Sequence, residues 1–488
     1  MGSVLSLDQG TTSSRALLFS EAGEVQRVEQ KEFQQHYRRP GWVEHDPEEL
    51  WESQLASARS VLSGGGDVSC IGITNQRETT LVWERDTGRA IHPAVVWQSR
   101  QTAGICDDLR ARGLADLVRA KTGLVIDAYF SGTKVRHILD AVEGAQARAE
   151  KGELCFGTVD SWLVYKLTGG RAHVTEPSNA SRTMLYNIHE GGWDEELCRE
   201  LGVPLAMLPE VLPSSGSFGE TDPEVLGCSL PITGIAGDQQ AALFGQGCHS
   251  SGEAKNTYGT GCFLLMNTGT EAKASENGLI TTIAWQLGDE VHYALEGSVF
   301  VGGAVIQWLR DELGLITDAE ESAELASSVE DTQGVYIVPA FTGLGAPHWK
   351  EEARGLITGL TRGAGRAHLV RAALESIAYQ VRDLVECFAE DAGDAISSLQ
   401  VDGGASANDF LMQFQADVLG VPVVRPSNLE VTAFGAALLA GLGAGVWQDA
   451  GELEGVIQED ARFEPLMSGE RRAELCGGWR SAVERACT

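Results

Sequence analysis

Lysine is scarce in this chain, with only eight among 488 residues, and arginine brings the basic total to just 37 against 69 acidic residues. The resulting net charge of −32 argues against nucleic acid and anionic membrane surfaces as partners. Asp and Glu are spread along the chain without an acidic tail, so two readings stay open: an Arg-rich, highly soluble protein, or one adapted to a salty cytoplasm. Long apolar runs are also missing. No stretch approaches the roughly 20 residues of a membrane span, and MGSVLSLDQG lacks the basic region and apolar core of a secretory leader. The ten Cys are scattered singly, without a CxxC pair or a neighbouring His cluster. Structural zinc and a disulfide framework are therefore disfavoured, and free thiols in a reducing cytoplasm fit better. Neither GxxxxGK[ST] nor a GxGxxG following a strand occurs, which excludes a P-loop and a dinucleotide fold.

What is present is a globular pattern, with 43% apolar residues and 58 Gly. The length predicts two domains of roughly 200–250 residues each. Residues 4–19 read as strand, small-residue turn and strand, and Asp46-Pro47-Glu48-Glu49 as a capped helix start. Residues 70–74 form another apolar strand. The strand–Gly/Thr turn–strand pattern restarts at Ala254, half the chain later, and a further strand at 399–402 precedes a helix from about Asp409. Two halves that open alike imply a duplicated α/β architecture, each half carrying a sheet with helices on it. The expected domains are 1–246 and 247–488, in contact across a cleft.

Gly/Thr turns at strand ends suit phosphate, because Gly lets backbone N–H groups approach an anion and Thr adds donors. There are three: Asp8-Gln9-Gly10-Thr11-Thr12-Ser13, Tyr258-Gly259-Thr260-Gly261 and Asp402-Gly403-Gly404-Ala405. Asp8 can serve Mg²⁺ or close an Asx turn. Arg77-Glu78 follow a buried strand, where open sheets place ligands, yet such a pair also suits a solvated loop. Trp97, Tyr129 and Phe263 fit either a small polyol pocket or the core. In GIAGDQQAALFG, Asp238 sits at a strand-to-helix turn, where capping and chemistry are both open readings.

The segments LDQGTTSSRA, GWVEHDP, IGITNQRETT, GLVIDAYFSGTKV, NASRTM, GIAGDQQAALFGQ, KNTYGTGCF, FTGLGAP and VDGGASAN, with residues 355–375, resemble the glycerol kinases of the FGGY carbohydrate kinases. The resemblance implies a two-lobed actin-like ATPase (ribonuclease H-like) fold with a central cleft, most of the glycerol site lying in 1–246 and most of the nucleotide site in 247–488. It implies a glycerol site of Arg77, Glu78, Trp97, Tyr129, Asp238, Gln239 and Phe263, with Asp238 as the catalytic base. It implies a nucleotide site of Thr11, Thr12, Ser13, Arg15, Thr260, Gly303, Gln307, Gly404 and Asn408, with Asp8 for the metal. The activity it implies is phosphorylation of glycerol by ATP with Mg²⁺, the first step of glycerol catabolism, in a cytoplasmic homodimer or homotetramer.

The chain departs from the pattern of that family in two places. His137 stands where Trp is usual, a change read as packing. Residues 221–229 are acidic and hold no Arg or Lys, where relatives inhibited by fructose 1,6-bisphosphate carry a basic Gly-rich loop, so no such inhibition is expected. The alternatives are an FGGY kinase for a ketose or sugar acid, and an actin-like nucleotide switch without a polyol substrate.

Overall fold

The computed structural model describes residues 2–350 and 352–488. The expected opening hairpin is present as β1 (Ser3–Gln9) and β2 (Ser13–Phe19), followed by β3 (Val25–Glu32). Asp46 caps α1 (Pro47–Ser63), its carboxylate accepting from Glu48 N–H at 2.8 Å, and β4 (Val68–Asn75) follows. Later come β5 (Ser215–Glu220), β6 (Pro231–Gly237) and α2 (Asp238–Gly245). β1 to β3 form an antiparallel meander, while β4 runs parallel to β1 and β6 parallel to β4.

The second half repeats that arrangement. Its meander is β7 (Ala254–Tyr258), β8 (Cys262–Gly269) and β10 (Glu290–Val299), with β9 (Ile280–Leu287) beyond β10. β11 (Leu399–Asp402) lies parallel to β7 and β12 (Val423–Pro426) parallel to β11, as β4 and β6 do in the first half, and β13 (Glu459–Phe463) closes the edge. Parallel neighbours need crossovers. Here they are supplied by helices that include α3 (Ala304–Asp311), α4 (Arg366–Ala392) and α5 (Asp409–Leu419).

Each half was expected to carry its own sheet, but the described residues join both into one 13-stranded sheet. The join is narrow: β5 pairs with β6 and meets β9 at a single position, Ser215 opposite Leu287. α6 (Val431–Ala444), which belongs to the second half by sequence, packs on the first-half sheet. Cys70 Sγ and Thr233 Oγ1 both donate to its Ala440 carbonyl, at 3.5 and 2.8 Å. Separate apolar cores fill the halves, one around Leu5, Ile71 and Ile235, the other around Leu264, Ile377 and Val401. All ten Cys are free and eight are buried. Among the described residues, no helix is long and apolar enough to cross a membrane.

Candidate active site

Parallel strands deliver their C-terminal ends to the same edge of a sheet, and β1, β4 and β6 end here in Asp8-Gln9, Asn75 and Gly237. Asp238 is the first residue of α2. Gly237 takes the capping position, so Asp238 is not the cap, although its Oδ1 accepts from the Gln239 N–H at 2.7 Å. About a third of its side chain stays exposed, and Arg77 Nε lies 3.3 Å from Oδ1. Burial raises the Asp238 carboxyl above the ordinary range; Arg77 opposes that shift and Glu78 adds to it.

Arg77 is buried, and its two terminal guanidinium nitrogens are hydrogen-bonded while Nε faces Asp238. It donates to Glu296 at 2.5 and 3.2 Å, to Gln240 Oε1 at 3.2 Å and to Tyr129 Oη at 3.4 Å. Arg182 closes the cluster, donating to Glu78 Oε1 at 2.6 Å and to Glu296 Oε1 at 2.8 Å. Two arginines and two carboxylates thus share one buried box, in which each charge has an opposite partner. Two arginines around Glu296 outweigh its burial and hold its carboxyl down at about 2, so it stays ionised. Glu78 carries a left-handed φ of 58°, a cost for a non-Gly residue. Its carbonyl accepts from Ser131 Oγ and Lys134 Nζ, each at 3.0 Å, which hold the loop in place.

Trp97 and Tyr129 meet edge to face with centroids 5.7 Å apart. Trp97 Nε1 donates to Thr11 Oγ1 at 3.0 Å, tying this ring to the first Gly/Thr turn. Phe263 is half-buried on β8, opposite Thr257 and Ser298 in register, and no ring contact joins it to Trp97 or Tyr129. Lys255 Nζ donates to Gln239 Oε1.

Thr260, Gly303, Gln307, Gly404 and Asn408 converge on one cavity of 1160 Å³, lined also by Ile306, Ile316 and Phe410. Asn408 caps α5 through Leu411 N–H at 3.1 Å. Thr11, Thr12, Ser13 and Arg15 do not line this cavity and lie on the first-half hairpin. Arg15 is held by Glu430 at 2.6 Å and stands 3.8 Å from Asp8, so its charge is already shared. Burial pushes Asp8 up to about 7, against the pull of Arg15 and with the help of Asp238.

Reading the sequence by residue type missed Glu296, Arg182 and Lys255. For Glu296 and Lys255 the available signal was a charged residue inside a strand, as in HYALEGSV and EAKNTY, since a buried charge must find a partner in the fold; Arg182, in a turn, carried no such signal. His137 packs edge-on to Trp42 and His92 with centroids 5.6 and 5.8 Å away, and burial lowers its basicity.

Residues 3–245 match the N-terminal domain of the FGGY family of carbohydrate kinases and residues 254–444 its C-terminal domain. A glycerol kinase of Carboxydothermus hydrogenoformans is 61% identical over 488 residues, covering 99% of this chain and 98% of that one. The crystal structure of Plasmodium falciparum glycerol kinase with ADP superposes with a TM-score of 0.96 at 36% identity, covering 100% of this chain and 99% of that one. A ligand-bound xylulose kinase from Lactobacillus acidophilus shares the fold at a TM-score of 0.89 and 21% identity, covering 99% of this chain and 98% of that one. This chain belongs to the FGGY family of carbohydrate kinases.

Proposed function

We propose that the protein transfers the γ-phosphoryl group of ATP to glycerol, giving sn-glycerol 3-phosphate and ADP. The observation that carries this reading is the Asp238 carboxylate, part-exposed beside the buried Arg77–Glu78–Glu296–Arg182 box. The full-length likeness to glycerol kinases supports glycerol over a ketose or sugar acid. Asp238 accepts the proton of the attacking hydroxyl and orients it; burial favours this by raising its proton affinity. Arg77, Glu78 and Gln239 take the other hydroxyls, while Trp97, Tyr129 and Phe263 flank the carbon chain. A rigid charge box suits this task, because its donors are oriented before substrate arrives.

The 1160 Å³ cavity suits the nucleoside end of ATP: it offers apolar Ile306, Ile316 and Phe410 beside the polar Gln307 and Asn408. Thr260, Gly303 and Gly404 lead from it toward the phosphates, and Thr11, Thr12, Ser13 and Arg15 approach from the opposite hairpin. The donor set fits Mg²⁺: Asp8 is a mostly buried carboxylate at a strand end, and the one arginine beside it, at 3.8 Å, is shared with Glu430. No cluster of three His, Cys, Asp or Glu side chains among the described residues could cage a metal, and Mg²⁺ ordinarily takes one or two carboxylates plus substrate phosphates. When bound, it neutralises phosphate charge developing in the transfer. Residues 1–246 then supply most of the polyol site and 247–488 most of the nucleotide site, in a cytoplasmic homodimer or homotetramer.

The test is ADP formation with and without glycerol, run beside a panel of pentuloses and sugar acids. Glycerol-dependent ADP is expected. Slow hydrolysis indifferent to every polyol would favour a nucleotide switch, and a preference for a pentulose would reassign the substrate. The acidic 221–229 segment, whose Asp222 pairs with Arg171 at 2.7 Å, predicts a rate unchanged by millimolar fructose 1,6-bisphosphate.

A further inference from the structure

We propose that Lys255 couples the polyol pocket to the nucleotide cavity, so that filling one changes the affinity of the other. The proposal rests on the reading of the site as a polyol kinase and adds a role for a residue that this reading leaves unused. Lys255 is fully buried on β7. Buried lysines ordinarily pair with a carboxylate, yet among the described residues this one pairs directly with none. Its Nζ instead donates to Gln239 Oε1 and, at 2.8 Å, to Thr257 Oγ1. Burial lowers its proton affinity, while the fields of Asp402 and Asp238 oppose that shift from either side.

With Lys255 charged and Asp402 ionised, the donor directions in this chain of hydrogen bonds are fixed. Thr257 gives its one proton to Asp402 Oδ1 at 2.7 Å and must therefore accept from Lys255. An ammonium has no acceptor, so Gln239 must turn its carbonyl oxygen to Lys255. Both amide protons of Gln239 are thereby left to donate to a hydroxyl oxygen. Lys255 thus decides which face of Gln239 a polyol meets.

The far end of the chain is equally constrained. Thr257 and Asp402 are opposite each other on the parallel strands β7 and β11. Asp402 leads directly into Gly403, whose φ is 87° and where a Cβ would stand 2.5 Å from the Tyr258 carbonyl. Gly404, Tyr258 and Gly259 line the nucleotide cavity. A shift of Asp402 therefore carries the turn that meets nucleotide, and a shift of Gln239 carries the donor that meets polyol. Among the described residues, Lys255 and Thr257 are the side chains that join them along this chain of hydrogen bonds, which supplies the physical link that coupling requires.

The test is calorimetric titration of the full chain with glycerol, with and without a saturating non-hydrolysable ATP analogue and Mg²⁺. In the unsubstituted protein the analogue is expected to change glycerol affinity by about fivefold or more, and in Lys255→Met by less than about twofold. Thr257→Val cuts the same chain at its next link, keeps the Lys255–Gln239 contact, and is expected to lose the coupling equally. It also decides the matter if Lys255→Met fails to fold. Coupling retained in Thr257→Val, or absent from the unsubstituted protein, would overturn the proposal. Failure of the unsubstituted protein to bind glycerol at all would instead overturn the functional reading.

Discussion

A carboxylate serves as a base only if something keeps it ionised yet still basic. At Asp238 those demands are met by opposing neighbours: burial and Glu78 raise its pKa, while Arg77 at 3.3 Å limits the rise. Glu296 contributes by engaging the other side of the Arg77 guanidinium, which stops the whole of its charge from settling on Asp238. Replacing Asp238 with Asn removes the proposed proton acceptor at nearly constant shape, and turnover should fall by about 10²–10⁴-fold. Nucleotide affinity measured by calorimetry should be unchanged; near-normal turnover would overturn the assignment of the base. Asp8 gives a second expectation. Burial raises its pKa to about 7, so if Asp8 holds Mg²⁺ as proposed, proton and metal compete for one carboxylate as pH falls through 7. Apparent Mg²⁺ affinity should therefore strengthen as pH rises through 7 and level off above it. In Asp8→Asn that slope should vanish, and a slope that persists would place the metal elsewhere. Both carboxylates could be picked out in the sequence because they stand at strand ends beside turns. Glu296 stands out only as a charge inside a strand; its partners could not be read, since Arg77 and Arg182 come from segments 219 and 114 positions away.

At the scale of elements, α6 depends on bare backbone contact. A Cβ built on Gly435 would stand 1.8 Å from the Ala241 carbonyl of α2. Backbone on both sides cannot yield as a flexible side chain would. Gly435→Ala should therefore push α6 off α2 and lower stability by about 1–3 kcal/mol, the range for overpacking. The same change at Gly477, a helical position with open space around it, should cost nothing or stabilise by about 0.5–1 kcal/mol, because Ala is the better helix former. Thermal melts of the two variants distinguish these outcomes, and equal melting points would refute the close-packing argument. α6 also begins just after Glu430, which holds Arg15. Displacing the helix should thus loosen the first hairpin as well. The strand–turn–strand of β1 and β2 and the capped start of α1 were readable from sequence. The position of α6 was not, because its mostly buried, nearly all-apolar sequence fits a sheet of either half.

For the whole molecule, the main electrostatic fact is a net charge of −32. Like charges packed into a folded volume repel, and that repulsion is screened as the Debye length falls from about 30 Å at 0.01 M salt to 3 Å at 1 M. The melting temperature should therefore rise with KCl over that range; a steady fall would show that attractive ion pairs outweigh the repulsion. Composition alone is enough for this prediction, since repulsion summed over a surface hardly depends on which residue carries each charge. Sequence was also enough for the two-half plan, the Gly/Thr turns, the capped α1 and the polar cluster at Gly237–Gln240, because these rest on local periodicity, turn chemistry and strand ends. Only the tertiary structure decided that one sheet spans both halves, that α6 crosses to the first-half sheet, and that Glu296, Arg182 and Lys255 belong to the site. Each of those depends on pairing between distant segments, and a buried charge in a strand announces that a partner is needed without naming which residue supplies it.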